Sequence, residues 1–163
     1  MKRIGILMLG IFACLIFVGW AQSPPPAAAY TIRTIDPPDS IETFATGINA
    51  RGDIVGQFVD GSGLTHGYLL SKGSFHVVDV PGALETRARG INSRGEIVGS
   101  YSGGHGFLLS GRNFRTFDFP GGVDTFPRAI NDAGGIVGNY SEFTDGPIHG
   151  FLLSHGRYTG IAR

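Results

Sequence analysis

Ten residues recur three times: GINARGDIVG from Gly47, GINSRGEIVG from Gly90 and AINDAGGIVG from Ala129. A chain that repeats one pattern this closely builds one supersecondary unit several times. Such units stack because none can bury its apolar faces alone. The flanking sequence repeats as well. DPPDSIETFATGIN (Asp36 to Asn49), DVPGALETRARGIN (Asp79 to Asn92) and DFPGGVDTFPRAIN (Asp118 to Asn131) align without gaps. The lines HGYLLSKGSF, HGFLLSGRNF and HGFLLSHGRY start at His66, His105 and His149. Three copies therefore run over about 30–73, 74–112 and 113–156, and 157–163 reads as a partial fourth.

The intervals within a copy are nearly rigid. Asp to Asn is 13 residues in every copy, Asn to the Gly of IVG is 7, and His to the next Asp is 13 in both measurable cases. Only the segment between IVG and HGF varies, from Gly56 to His66, Gly99 to His105 and Gly138 to His149. Length variation confined to one loop per copy leaves a fixed scaffold carrying one adjustable edge.

Each copy reads as four short strands: an aromatic strand (TIRTID, FHVVDV, FRTFDF), one leading into GIN, the IVG strand, and HGFLLS. β-Branched and aromatic residues fill them, and Gly, Pro, Asn and Asp separate them. No exported segment holds a 3.6-residue apolar period, so no helix is expected there. Asn49, Asn92 and Asn131 each stand three residues before Gly52, Gly95 and Gly134. That spacing predicts a type I turn opened by Asn and closed by a left-handed Gly forming a bulge. In the IVG strand, Ile54, Gly56 and Phe58 share one face while Val55 and Val59 take the other; Gly99 and Gly138 fall in the same frame as Gly56. Strands apolar on both faces need cover on both. The predicted architecture is all-β, with repeated four-stranded antiparallel meanders forming propeller-like blades. The repeat steps of 43 and 39 residues suit such blades. Propellers usually close with four to eight blades. Three copies leave open a truncated array, a half-blade that donates a closing strand, or self-association that completes a ring between chains. A β-trefoil or other barrel is the alternative fold.

The combination G-I-N-x-x-G-x-I-V-G, H-G-F-L and an aromatic strand ending D-x-P-G resembles the bacterial extracellular HAF-repeat family. Copy two carries every element, from Gly90 to Gly99, His105 to Leu108 and Asp118 to Gly121. Copy one departs with Pro38-Asp39 and Tyr68, and copy three with Ala129. The resemblance implies secretion and a propeller-like repeat fold. It carries over no catalytic residue.

Residues 1–21 read as a signal peptide: Lys2 and Arg3, an apolar run, then Gly19 and Ala21 placed for cleavage. A retained anchor is the rival reading, since Ile4 to Ala21 is just long enough to span a bilayer. Gln22 to Ala29 form a Pro/Ala-rich tether, and 30–163 form a single repeat domain. The lone cysteine, Cys14, falls in the signal, so the exported part has neither disulfide nor thiol chemistry. Without Lys2 and Arg3 the chain carries 11 basic against 13 acidic residues, a net charge of 11 − 13 = −2. No basic stripe marks a nucleic-acid partner. Membrane contact is expected only through an uncleaved signal.

His66, His105 and His149 invite a zinc reading, but one residue per copy more simply holds each unit together, here by imidazole bonds to backbone. Asp36, Asp79 and Asp118 read as turn caps before Pro-Gly. His76 and His155 have no recognisable local partner, no triad or phosphate loop is present, and no metal or cofactor is expected. Alternate turns of a meander fall at opposite ends, which places the variable loops with the D-x-P-G loops. Variation on one face marks the expected binding face. Asp60, Glu142, Phe143 and Asp145 are the candidate ligand-contacting residues, with Phe143 the exposed anchor. The repeat-structural set is Asn49, Gly52, Gly56, His66, Asn92, Gly95, Gly99, His105, Asn131, Gly134, Gly138 and His149. The expected function is a secreted, non-catalytic binding or scaffolding module for an unknown ligand or surface component. The alternatives are a carbohydrate hydrolase or lyase, which needs two acids in one pocket, and a truncated fragment without independent function.

Overall fold

In the computed structural model, residues 31–161 are described; the signal and tether expected over 1–29 lie outside them. Contacts divide the chain into Met1–Arg33 and Thr34–Arg163, and the repeat architecture belongs to the second unit. That unit is all-β. Among the described residues there is no helix, and twelve strands form three separate four-stranded sheets.

Blade one is β1 (Ser40–Ile48), β2 (Ile54–Asp60), β3 (Thr65–Ser71) and β4 (Ser74–Val78). Blade two is β5 (Thr86–Ile91), β6 (Ile97–Tyr101), β7 (His105–Ser110) and β8 (Asn113–Phe117). Blade three is β9 (Asp124–Ile130), β10 (Ile136–Ser141), β11 (Ile148–Ser154) and β12 (Arg157–Ile161). Each is an antiparallel meander in chain order. The arrangement is propeller-like with the sheets not closed, and the barrel alternative does not hold for these strands.

The sheets are out of phase with the sequence copies. Each blade starts at the GIN strand and ends with the aromatic strand, which the sequence reading had placed first. The segment 157–161 is therefore the closing strand of blade three, paired with β11 from Ser154 opposite Arg157 to Gly150 opposite Ile161. Thr31 to Asp36, expected as a strand, is not one. Its counterparts β4 and β8 each pair with the HGF strand that comes just before them in the same blade.

Glycine sets how closely the strands approach. In the register, Gly56 faces Tyr68, Gly99 faces Phe107 and Gly138 faces Phe151. A Cβ at these glycines would fall 2.8, 2.8 and 2.7 Å from those rings, and closer still to the carbonyls of Phe44, Arg87 and Phe126. The aromatic side chain thus lies over bare backbone, and Tyr68, Phe107 and Phe151 are all fully buried. Between blades, a Cβ at Gly47 would stand 3.3 Å from the Gly90 Cα, and one at Gly90 would stand 2.9 Å from the Ala129 Cα. The small first residue of GIN is therefore where neighbouring backbones meet.

Two apolar clusters fill the gaps between blades. Val55 and Val78 of blade one pack with Ala88, Ile91, Ile97 and Phe107 of blade two. Val98 of blade two packs with Ile130, Ile136 and Phe151 of blade three. A forward face carrying Val therefore docks on the rear face of the next blade, which carries Ile and the buried aromatic.

Candidate functional site

The constant end of each blade is built by N-x-x-G. Gly52, Gly95 and Gly134 have φ of 80°, 82° and 81°, the left-handed conformation that glycine adopts without a Cβ penalty. Each backbone N–H of these glycines donates to the Asn carbonyl three residues earlier, at 3.0 Å. The Asn49 Oδ1 accepts from the backbone N–H groups of Arg51 and Asp53. Asn92 does the same for Arg94 and Glu96.

The other side of the amide does something the turn does not require. Asn49 Nδ2 donates to the carbonyl of Asn92 at 3.1 Å, and Asn92 Nδ2 to the carbonyl of Asn131 at 3.2 Å. The asparagines thus form a ladder from blade to blade. An acid four residues on steadies each donor: Asp53 Oδ2 at 3.0 Å and Glu96 Oε2 at 2.6 Å. Hydrogen bonds from Ser71 and Asn49 hold Asp53 down at about 2, against the upward push of burial. The bond from Asn92 likewise holds Glu96 below the usual carboxylate range. Blade three has Gly135 in place of the acid.

The repeated histidines bond carboxylates, not backbone as expected. His66 Nδ1 lies 2.7 Å from Asp79 Oδ2, and His105 Nδ1 lies 3.0 Å from Asp118 Oδ2. The 13-residue spacing is thus a contact between the HGF strand and the start of the next unit. Asp79 also reaches back across the sheet, since its Oδ1 accepts the Gly67 N–H at 3.2 Å. This corrects the expectation that it caps the turn ahead. The D-x-P-G turn relies on its last residue instead. Gly82 and Gly121 both have φ of 81°, and Asp39 takes the same region at 60°. On its far side His66 Nε2 stands 3.3 Å from Asp60 Oδ2. The bond to Asp79, then that to Asp60, raises the imidazole pKa despite partial burial.

Among the described residues no three His, Cys, Asp or Glu side chains gather as a metal site requires. His155 sits at φ 50° before Gly156 at φ 73°. Lys72 and Gly73 are matched, with φ of 51° and 81°. Both pairs suit the first and second positions of a type I′ hairpin.

At the opposite end the variable loops meet the D-x-P-G loops. Ser102 Oγ accepts the backbone N–H groups of Leu84 and Glu85 at 2.7 and 3.1 Å. Thr125 N–H donates to the Gly104 carbonyl at 2.6 Å. Variable loops from blades one and two together line an open groove of about 370 Å³, walled by Gly63, Leu64, Thr65, Leu84, Glu85 and Ser102.

The candidate residues are not gathered. Asp60 opens the loop of blade one, whereas Glu142, Phe143 and Asp145 lie in the loop of blade three. Asp60 Oδ1 accepts from the Ser62 N–H and Oγ–H and from the Leu64 N–H. Those bonds, led by the Ser62 hydroxyl, hold its pKa well below the usual carboxylate range; its oxygens shape the loop. Phe143 is 59% exposed and lies against Gly146, while Asp145 takes φ 59°. Of the three candidate acids only Glu142 and Asp145 share a loop, and Asp60 belongs to another blade.

Sequence reasoning missed Arg89 and Arg128, at matching bulges of β5 and β9. Burial, then the charges of Arg128 and Arg87, lower the Arg89 pKa. No carboxylate lies within ion-pair distance of Arg89 among the described residues. The bulge itself carries no sequence signal beyond an extra residue before the small one.

The fold and these sites define a propeller-like, all-β repeat protein with a rigid turn end and a variable loop end. No family model, curated protein or solved structure matches the chain.

Proposed function

We propose that this chain is a secreted, non-catalytic binding module that engages a surface component through its loop end. The observation that carries this reading is the groove formed jointly by the variable loops of blades one and two, on the same loop end that exposes Phe143 in blade three. Surface loops on a rigid scaffold change length without disturbing the core, which suits them to recognition. The resemblance to HAF repeats and the signal-like residues 1–21 support export. His66 and His105, with Asp79 and Asp118, are engaged in tying each HGF strand to the start of the next unit, which is a structural use of these residue types.

The test is direct. The labelled exported chain is applied to the cells that secrete it, and retention is compared with a variant in which Glu142–Pro147 is replaced by Gly and Ser. Retention that falls at least tenfold while the circular dichroism stays unchanged supports the loop-end site. Equal retention of the two chains, or none by the parent, refutes it.

A further inference from the structure

The two outermost faces of the blade stack are halves of an interface the molecule already makes twice within itself. On the forward faces, Val55, Val98 and Val137 are equivalent, and they are 0%, 0% and 40% exposed. On the rear faces, Ile48, Ile91 and Ile130 are equivalent, at 67%, 7% and 9%. The uncovered member is in blade three for the first set and in blade one for the second. Leu152 and Ile161 extend the uncovered forward face.

The polar ladder ends in the same complementary way. Asn131 Nδ2 has no acceptor among the described residues, where Asn49 and Asn92 donate to the next blade. Among the described residues the Asn49 carbonyl receives no donor from a preceding blade, and His149 has no carboxylate partner; the position thirteen residues on from His149 is Ala162. Asp36, the counterpart of Asp79 and Asp118, has no histidine partner among the described residues. Pro37 beside it is buried, as Val80 is beside Asp79. The first unit therefore already holds its acid where a preceding blade would meet it. Thr31 to Ile35 pair with no strand among the described residues.

We propose that a second copy of this chain docks head to tail, the forward face of blade three covering the rear face of blade one. Val137 meets the partner's Ile48 surface, Asn131 donates to the Asn49 carbonyl, and His149 pairs with Asp36. Two such contacts close one ring of six blades, within the usual range for propellers. A two-fold axis relates the two contacts, so that Val137 of each copy meets Ile48 of the other and the ring ends at two chains.

The test measures the light-scattering mass of the full chain, recovered after export from a secreting host, against two single variants. Val137→Glu blocks the forward face, and Ile48→Glu blocks the rear. Both side chains are exposed in the single chain, and circular dichroism checks that each variant folds. The expected result is twice the chain mass for the parent and a single chain mass for either variant alone. An equimolar mixture of the variants is expected to form a one-to-one complex, because one intact forward face still meets one intact rear face. A monomeric parent overturns the proposal, as does growth beyond two chains. A variant that still dimerises alone also overturns it, since that shows a face pairing with itself.

Discussion

Replacing Asn92 with Asp separates the two jobs of the repeated asparagine. An aspartate keeps the acceptor that receives the Arg94 and Glu96 N–H groups, so the turn persists. It removes the donor. The bond to the Asn131 carbonyl contributes about 1 kcal/mol, and the one to the ionised Glu96 about 1.5–3 kcal/mol. The new carboxylate also faces Glu96, which adds to the loss. The expected cost at neutral pH is thus about 3–4 kcal/mol, or roughly a 10 °C fall in Tm for a domain of this size. The control is the same change at Asn131. Its Oδ1 also caps a turn, accepting the Gly135 N–H at 2.8 Å, but among the described residues its amide has no acceptor, and Gly135 stands where the acid of the other copies would be. Asn131→Asp is expected to cost no more than about 0.5 kcal/mol, the usual range for a surface change. Urea denaturation of both variants in the monomeric Val137→Glu background measures the difference. Equal losses at the two sites would refute the reasoning, because they would assign the whole effect to turn capping.

Two further outcomes follow from the packing and the charges. Gly99→Ala sets a Cβ against the Phe107 ring and the Arg87 carbonyl, neither of which can withdraw, and is expected to cost about 3 kcal/mol or more. Gly61→Ala, where nothing stands near the added carbon, is expected to change the denaturation midpoint little. His66 has its folded pKa raised above the ordinary 6.5. Its contribution is therefore full below that value and lost as pH rises through the raised folded pKa. The stability gap between the parent and His66→Ala should narrow from pH 6 to pH 9; a gap that widens over that range contradicts the Asp60–His66–Asp79 arrangement.

The strands, the turns and the two-faced burial were legible because short-range geometry writes them directly: left-handed Gly after N-x-x, alternation in IVG, fixed intervals. Phase was not. A tandem period is cyclic, so nothing in it marks whether the aromatic strand opens a sheet or closes the one before. Pairing decides that, and it makes 157–161 a final strand instead of a fresh start. The 13-residue step from His to Asp was visible as a number but not as a contact, because the partners meet across a unit boundary. The ladder left one trace. Asp and Ser also open such turns, yet all three copies use Asn, the one of these that carries an amide donor. The scattering of Asp60 from Glu142 and Asp145 was not readable, since blade spacing is a tertiary quantity.

Each sheet is one unbroken stretch of chain, and each step of 39 or 43 residues returns the backbone to the same place in the next sheet. An in-frame gain or loss of one such step in the gene, wherever it begins, therefore adds or removes a whole blade without cutting a sheet. The number of blades is thus open to change by gain or loss of whole repeats. Descendants of this sequence can change in size by whole units while every strand keeps its neighbours.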